Sequence, residues 1–142
     1  MPLPPLQELQ QTFRAAPFIA ELGLELESIG TGECVTVLAL RPVHLQQYGF
    51  VHAGVLATMA DHTAGAAAYT LAADGCRIVT AEFKLSILRA ATGGRLTCRA
   101  VVLKPGRQIS FVESEVSCSN AGETRLVAKA SATLAVLAAG FG

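Results

Sequence analysis

Residues 53–73 constrain the fold of this chain more than any other segment. The segment is rich in alanine, contains no proline, and is much too long for one strand, so it predicts a helix. Apolar side chains lie on nearly every side of that helix, and a helix of this kind is buried all round rather than laid on a surface. The rest of the chain must therefore supply elements that surround it.

The flanking segments provide strands that can enclose this helix. In residues 78–88 apolar and polar side chains alternate, which is typical of an antiparallel strand with one face in solvent, and the alternation places Thr80 and Glu82 on the same face. Six strands are predicted in all, at residues 23–28, 33–41, 78–88, 95–104, 108–118 and 124–137. One antiparallel sheet of about six strands wrapped around a long central helix buries both, so the sequence predicts an α+β protein with the hotdog fold.

Two local features complete the predicted architecture. An amphipathic helix is expected at residues 6–14, within an N-terminal helical region of about residues 5–15. A three-residue loop at residues 105–107 would set the register of the hairpin around it, with Arg99 opposite Glu113 on the outer face of the sheet.

The composition is that of one domain, residues 1–142, that associates with a second copy. Hydrophobic residues make up 51% of the chain and charged residues 15%, so a sizeable core can form while some apolar surface remains for a partner. The 11 basic and 11 acidic residues form no basic cluster, which argues against a nucleic-acid-binding protein. Because the N-terminal stretch contains Glu8 and Arg14 and lacks a basic segment before an apolar run, we expect a cytoplasmic protein that binds no membrane.

The cysteines are spaced as isolated residues. They form no C-x-x-C pair and no cluster with histidine, so buried free thiols are expected and zinc or redox chemistry is disfavoured. The four are Cys34, Cys76, Cys98 and Cys118.

A carboxylate interrupts the apolar central helix. If the helix begins at Ala53, Asp61 lies a little over two turns further on and shares a face with Gly54, Ala57, Gly65 and Ala68. Small residues let a backbone or a ligand approach closely, and a carboxylate on such a face is costly unless something compensates it. Asp61 either fixes the packing through a hydrogen bond or carries chemistry. The exposed N–H groups of Ala53 and Gly54 at the helix start favour the second interpretation, because such donors can stabilise an oxyanion in acyl transfer.

At these residues the sequence resembles a known family. Residues 46–61, QQYGFVHAGVLATMAD, are similar to the signature of PaaI-like (phenylacetate-degradation type) hotdog acyl-CoA thioesterases. The usual pattern is an Asn or Gln, then Gly, His-Gly-Gly, and an Asp or Glu inside the helix. The likeness extends over about residues 24–137, including residues 82–84 and 103–107, and departs from the pattern where Ala53 replaces the first glycine of His-Gly-Gly.

The resemblance implies a role for each residue of the motif. Asp61 would be the general base or the nucleophile, the N–H of Ala53 the oxyanion donor, and the side chain of Gln46 or Gln47 the amide that positions the thioester. Residues expected to contact substrate are Tyr48, His52, Gly54 and Thr80, with Lys104 and Arg107 on the coenzyme A phosphates. His52 is expected chiefly to hold the loop before the helix, and Thr80 to orient water. The family uses no metal and no bound cofactor, since coenzyme A enters as part of the substrate.

Three interpretations of the function are possible from the sequence. The first is an acyl-CoA thioesterase that releases free coenzyme A and a carboxylic acid. The second is a hotdog hydratase or dehydratase, which needs a differently placed His–acid pair. The third is a non-catalytic acyl-CoA-binding module, which Ala53 favours and Asp61 opposes. A homodimer is expected, with Asp61 of one chain facing residues 46–54 of the other, and the resemblance extends this to a tetramer of two dimers.

Overall fold

The computed structural model describes residues 2–140 and places one long helix against one face of a six-stranded antiparallel sheet. The strand order is β1-β2-β4-β5-β6-β3. The strands are β1 (Glu25–Gly30), β2 (Glu33–Ala39), β3 (Arg77–Ile87), β4 (Arg95–Lys104), β5 (Ile109–Asn120) and β6 (Glu123–Leu137), and the helices are α1 (Leu6–Arg14), α2 (Pro17–Leu22) and α3 (Ala53–Tyr69). The predicted α+β hotdog architecture is confirmed. No helix within residues 2–140 has both the length and the apolar character needed to cross a membrane.

The side of α3 that faces the sheet is closely packed. Its buried residues are Val55, Leu56, Met59, Ala60, Thr63, Ala64, Ala67 and Ala68. Two buried hydroxyls fix the helix to the strands. The Thr63 Oγ1 lies 2.7 Å from the Thr36 Oγ1 on β2, and the Ser114 Oγ on β5 donates to the carbonyl oxygen of Ala60 at 2.8 Å. These bonds satisfy polar groups that would otherwise be costly to bury, so they determine where the helix lies on the sheet.

The opposite side of α3 is not covered by the sheet. Asp61, Gly65 and Ala66 are only partly buried there, and Tyr69 is exposed. The prediction that this helix is buried all round is therefore wrong for a single chain. One sheet can cover only one side of the helix, and the apolar residues on the other side are left for a ligand or a partner.

Strand β3 lies at an edge of the sheet and contains a bulge. Within residues 2–140 it pairs with β6 alone, and Ala81 is the extra residue, since Thr80 pairs with Leu134 and Glu82 with Thr133. A bulge of one residue reverses the alternation of faces along the strand. Thr80 therefore faces the helix and Glu82 faces away, so the prediction that these two side chains share a face is wrong.

The sequence-based prediction for the β4–β5 hairpin assigns the side chains to the correct faces of the sheet but pairs the strands in the wrong register. Arg99 lies opposite Glu115 instead of Glu113, a shift of two residues. Residues 105–108 connect the strands, and Leu103 forms a bulge, so the connection is longer than the predicted three-residue loop. Because a shift of two keeps every side chain on its own face, the burial pattern of the sequence does not distinguish the two registers.

The N-terminal helices lie over the first strand. The bounds of α1 are those predicted, and the Gln10 side chain donates to the carbonyl oxygen of Leu26 at 3.0 Å. Helix α2 is missing from the sequence-based prediction. It begins with Pro17 at its first position and ends before Gly23, whose φ of 88° suits glycine at a helix terminus.

The cysteines are free thiols, as predicted, but Cys76 is only partly buried, where burial was expected. Cys34 and Cys98 are fully buried, and burial raises the pKa of each thiol to about 12. Since the thiolate is the reactive form, these two residues act as packing groups at neutral pH.

Candidate active site

A cavity of about 630 Å³ opens on the uncovered side of α3. Asp61 and Thr80 lie in its wall, and most of the remaining lining is apolar, including Phe13, Ile78 and Leu134. Small-molecule sites typically combine an apolar lining of this size with a few fixed polar groups. The Asp61 carboxylate therefore lies where a small molecule in the cavity would contact it.

Asp61 is held in place by a single hydroxyl group. The Thr80 Oγ1 donates to the Asp61 Oδ1 at 2.6 Å, and the second carboxylate oxygen, Oδ2, has no hydrogen-bond partner within residues 2–140. The bulge at Ala81 makes this contact possible, because it is what turns Thr80 toward the helix. Thr80 thus orients the carboxylate directly, while its predicted role in orienting water stays a prediction.

His62 lies next to Asp61 and lines the same cavity. Its ring meets the ring of Phe13 edge to face, with centroids 4.5 Å apart. Burial lowers the pKa of His62 from its ordinary value of 6.5, while the nearby Asp61 carboxylate acts in the opposite direction. His62 is therefore mainly neutral at pH 7 and joins α1 to α3 through its ring.

The start of α3 carries one free backbone donor. The N–H of Gly54 donates to the Nδ1 of His52 at 2.8 Å, so this N–H is occupied and the expectation of two exposed donors is wrong. The N–H of Ala53 has no acceptor within residues 2–140, and Ala53 is exposed. His52 caps the helix through this bond, and the N–H of Ala53 stays available to donate to a bound group.

The loop before α3 presents the amide side chains. The Oε1 of Gln46 accepts from the backbone N–H groups of Tyr48 and Phe50, so its NH₂ group remains available to donate. Gln46 and Gln47 line a surface groove of about 530 Å³ together with His52 and Ala53. Tyr48 is 75% exposed and is not part of this lining.

The structure thus divides the predicted site residues between two places. Asp61 and Thr80 line the cavity, whereas Ala53 and Gln46 line the groove, and no residue belongs to both. Along α3 the rise from residue 53 to residue 61 is about 12 Å at about 1.5 Å per residue. A thioester carbonyl must lie about 3 Å from both its attacking group and its oxyanion donor, so Asp61 and Ala53 of one chain do not serve the same carbonyl.

The predicted phosphate-binding residues lie at the end of β4 and in the connection that follows it. Lys104 and Arg107 are both exposed and form no ion pair within residues 2–140. The groove contains a different cation that the sequence analysis missed, Arg89, whose Nη1 donates to the carbonyl oxygen of Leu126 at 2.9 Å. No local sequence pattern marks Arg89 as a site residue. It lies in the groove only because the chain turns there after the end of β3.

The side chains that could bind a metal ion are dispersed within residues 2–140. Within the part of the chain that the structure describes, no three His, Cys, Asp or Glu residues are grouped so that they could hold a metal ion.

Known proteins share both the sequence pattern and the fold. A model of the thioesterase superfamily matches residues 48–124, which is more than half of the chain. A thioesterase family protein from Silicibacter pomeroyi is 32% identical and superposes with a TM-score of 0.89 over 94% of this chain and 98% of its own. A mutant of the phenylacetic acid degradation protein PaaI from Thermus thermophilus is 28% identical, with a TM-score of 0.73 over 84% of this chain and 97% of its own. By this match and this likeness, the chain belongs to the thioesterase superfamily.

Proposed function

We propose that this thioester hydrolase cleaves acyl-CoA thioesters to free coenzyme A and a carboxylic acid. The observation that carries the proposal is the Asp61 carboxylate, held by Thr80 at the wall of an apolar cavity. An acyl group that fills such a cavity brings its thioester carbon beside the carboxylate, where activated water or Asp61 itself can attack. The alternatives of hydration and of binding alone have no comparable support from the family.

The proposed reaction centre contains residues of two chains. Asp61 supplies the carboxylate from one chain, and Ala53 and the Gln46–Gln47 pair supply the oxyanion and positioning donors from the other. The separation of these groups within one chain supports this arrangement, because neither the cavity nor the groove alone holds a complete set.

The free edge of β3 offers a way to pair the two chains. The strand is 11 residues long, with Val79 and Ile87 exposed, and a long apolar edge of this kind readily pairs with another strand. In an antiparallel pair of two copies, the start of one β3 lies beside the end of the other. Thr80 and the cavity lie near the start of β3, and Ile87 lines the groove at its end. Pairing therefore directs each cavity toward the partner's groove.

Association of two such dimers into a tetramer stays a prediction.

Two routes of hydrolysis are compatible with this arrangement. In the first, Asp61 takes a proton from water, the water oxygen attacks the thioester carbon, and the proton passes to the departing thiolate as the C–S bond breaks. In the second, Asp61 attacks the carbon, the thiolate leaves, and water then hydrolyses the resulting anhydride. In both routes the N–H of Ala53 donates to the carbonyl oxygen while that oxygen carries negative charge.

Hydrolysis in ¹⁸O-labelled water can identify the nucleophilic route. In a single turnover the general-base route places label only in the product acid, whereas label enters the Asp61 carboxylate only when water attacks the Asp61 carbonyl of an anhydride, so labelled Asp61 identifies the nucleophilic route. Mass spectrometry of the peptide that contains Asp61 reads out the difference.

The coenzyme phosphates are proposed to contact cations outside the cavity. The candidates are the predicted pair Lys104 and Arg107 and the groove residue Arg89. Replacing Arg89 with Ala, or Lys104 and Arg107 together with Ala, should raise KM for acyl-CoA much more than it lowers kcat, because remote contacts act mostly as uniform binding. Thioesters of pantetheine lack these phosphates and should be cleaved as before. Equal losses on both substrates would assign the replaced residues a structural role.

Mixing two inactive variants tests the two-chain site. Ala53→Pro removes the N–H at the first position of the helix, where proline is favoured, and His52 already has the extended backbone that proline requires before it. We expect kcat to fall by about 100- to 1,000-fold, as when one oxyanion donor is lost. Asp61→Asn removes the carboxylate from the other half-site.

Dimers formed from both variants should recover roughly a quarter of the wild-type activity, because half of the dimers are mixed and each mixed dimer has one intact site. Two preparations of the same variant, mixed in the same way, are the control and should recover none. Equal inactivity in both mixtures would mean that the catalytic groups come from one chain. Release of no free thiol by the wild-type protein from any acyl-CoA would overturn the proposed substrate class.

A further inference from the structure

The cavity beside Asp61 is much larger than a carboxylate and a water molecule require. At about 630 Å³ it lies within the range of roughly 300 to 1,000 Å³ that is usual for small-molecule sites. It runs from Asp61 along α3 to helix α1, which contributes Leu9, Thr12 and Phe13 to the far wall. Helix α1, which is not part of the sheet, thus sets how far the cavity extends from the Asp61 carboxylate.

Gly65 keeps the α3 side of this cavity open. It lies in the interior of the helix, where glycine is less favourable than alanine. Its backbone does not require glycine, since its φ is not positive, and a Cβ at this position would meet no atom within 4 Å. Contacts within the chain therefore do not explain why residue 65 is glycine. A need for space beside a bound group does explain it.

Helix α1 is fixed firmly enough to act as a wall. Arg14 forms an ion pair with Glu25 at 2.7 Å, Gln10 bonds to the backbone of β1, and the Phe13 ring contacts the His62 ring. The α1 residue Leu9 is half-buried and faces the cavity. A ligand that grows from Asp61 toward α1 thus meets a defined end.

The chemistry of the walls favours one class of acyl group. Leucine, isoleucine, phenylalanine and alanine side chains dominate the lining, and neutral His62 adds an aromatic ring. Asp61 lies at one end and repels a second carboxylate on the substrate. Arg77 also lies in the wall, so an acidic acyl group has to be tested directly.

We propose that this cavity is the acyl-binding site, that Gly65 and Leu9 set the size of the acyl group, and that the substrates are uncharged apolar acyl thioesters of medium chain length or with an aromatic ring. The inference rests on the proposed function and deepens it, because it names the acyl class that the site takes.

Two variants should shift the acyl preference in opposite directions. Gly65→Leu fills the cavity and should lower kcat/KM for octanoyl- and phenylacetyl-CoA by about tenfold or more, since each methylene that a pocket accepts or rejects changes the rate by about 10- to 200-fold. Acetyl-CoA hydrolysis should fall much less, because a two-carbon acyl group leaves most of the cavity empty. Leu9→Ala extends the cavity and should shift the preference toward longer chains, whereas Leu6→Ala on the same helix, 43% exposed and outside the lining, should leave the preference unchanged.

Assays with several acyl-CoA substrates distinguish a failure of the proposed function from a failure of the acyl-site proposal. If the wild-type protein cleaves no acyl-CoA, the proposed function fails. If it cleaves them but Gly65→Leu lowers acetyl and octanoyl turnover equally, or if Leu9→Ala behaves like Leu6→Ala, the cavity is not the acyl site while the proposed function stands. If succinyl-CoA is the best substrate, the apolar class is wrong. Should Gly65→Leu fail to fold, Gly65→Ala provides the smaller obstruction, with circular dichroism as the check on folding.

Discussion

The two sides of helix α3 use polar side chains in opposite ways. On the sheet side, the hydroxyls of Thr36, Thr63 and Ser114 are buried and hydrogen-bonded within the core. On the cavity side, Asp61 has one hydroxyl partner, and its second oxygen has none within residues 2–140. Fully bonded buried groups fix the position of the helix, whereas an incompletely bonded carboxylate in a cavity is available to react. The hydroxyl that stabilises the packing, on Thr63, and the carboxylate proposed to react, on Asp61, thus lie on opposite sides of the same helix.

Asp61→Asn tests the cavity side and has the largest expected effect. Asparagine can still accept the hydrogen bond from Thr80, but it lacks a basic, nucleophilic carboxylate. We expect kcat to fall by about 100- to 10,000-fold, the usual scale for general-base catalysis. The free energy of unfolding should stay the same or rise, because a partly buried charge is removed. A variant that unfolds, or one with unchanged turnover in a free-thiol assay, would make Asp61 a packing residue.

Thr63→Val tests the sheet side, where the loss should appear in stability. The Thr63 hydroxyl donates to the carbonyl oxygen of Met59 at 2.6 Å, so Thr36 must be the donor in the Thr36–Thr63 bond. Thr63→Val leaves the buried Thr36 hydroxyl without an acceptor, and the free energy of unfolding in urea should fall by about 1 to 3 kcal/mol. Replacing both threonines with valine should restore most of this loss, and kcat should change less than twofold in either protein. A large loss of kcat in the folded single variant would contradict the separation of the two sides.

Thr80→Val tests how Asp61 is positioned, because it removes the hydrogen bond between the Thr80 hydroxyl and the carboxylate. We expect kcat to fall about tenfold with little change in KM, because the carboxylate remains but loses its fixed orientation. Thr80→Ser keeps the hydroxyl and should retain most of the activity. If serine and valine variants behave alike, the hydroxyl plays no part in positioning.

His62, at the boundary between the two sides, should give the smallest effect. Burial lowers its pKa below the ordinary 6.5, so the unfolded chain binds the proton more readily than the folded one. The resulting stability is present above pH 6.5 and is lost as the pH falls from there toward the lower folded pKa. Urea unfolding at two pH values on either side of 6.5 should show this slope, and His62→Asn should reduce it. In Asp61→Asn the opposing carboxylate is gone, so an NMR titration should give His62 a still lower pKa.

Much of the fold follows from periodicity in the sequence. The apolar, proline-free run specifies α3, and the long alternating segments specify the strands, because each pattern matches one repeat of the backbone. The carboxylate at Asp61 was also visible, since a charge inside an apolar helix stands out without any knowledge of its neighbours. The two-residue shift at Arg99 was not visible, because burial constrains only the face of a side chain.

The surroundings of Asp61 depend on contacts between distant segments, which local patterns do not encode. The bulge at Ala81 lies in a strand whose sequence alternates regularly, so the sequence assigned Thr80 to the wrong face. The far wall of the cavity comes from α1, and Arg89 enters the groove from the segment after β3. The arrangement of side chains around Asp61 was therefore less predictable from the sequence than the motif at residues 46–61.

The bulge at Ala81 also limits which changes of chain length the protein can tolerate. Deleting Ala81 leaves Thr80 opposite Leu134 and Glu82 opposite Thr133 in an uninterrupted ladder, so both halves of β3 keep their faces. Deleting Phe83 instead moves Lys84 into the inward position if the bulge is kept, or turns Glu82 inward if the bulge is lost. Either outcome places a charged side chain against the helix. Single-residue deletions in this strand should therefore be accepted at residue 81 and rejected at residue 83.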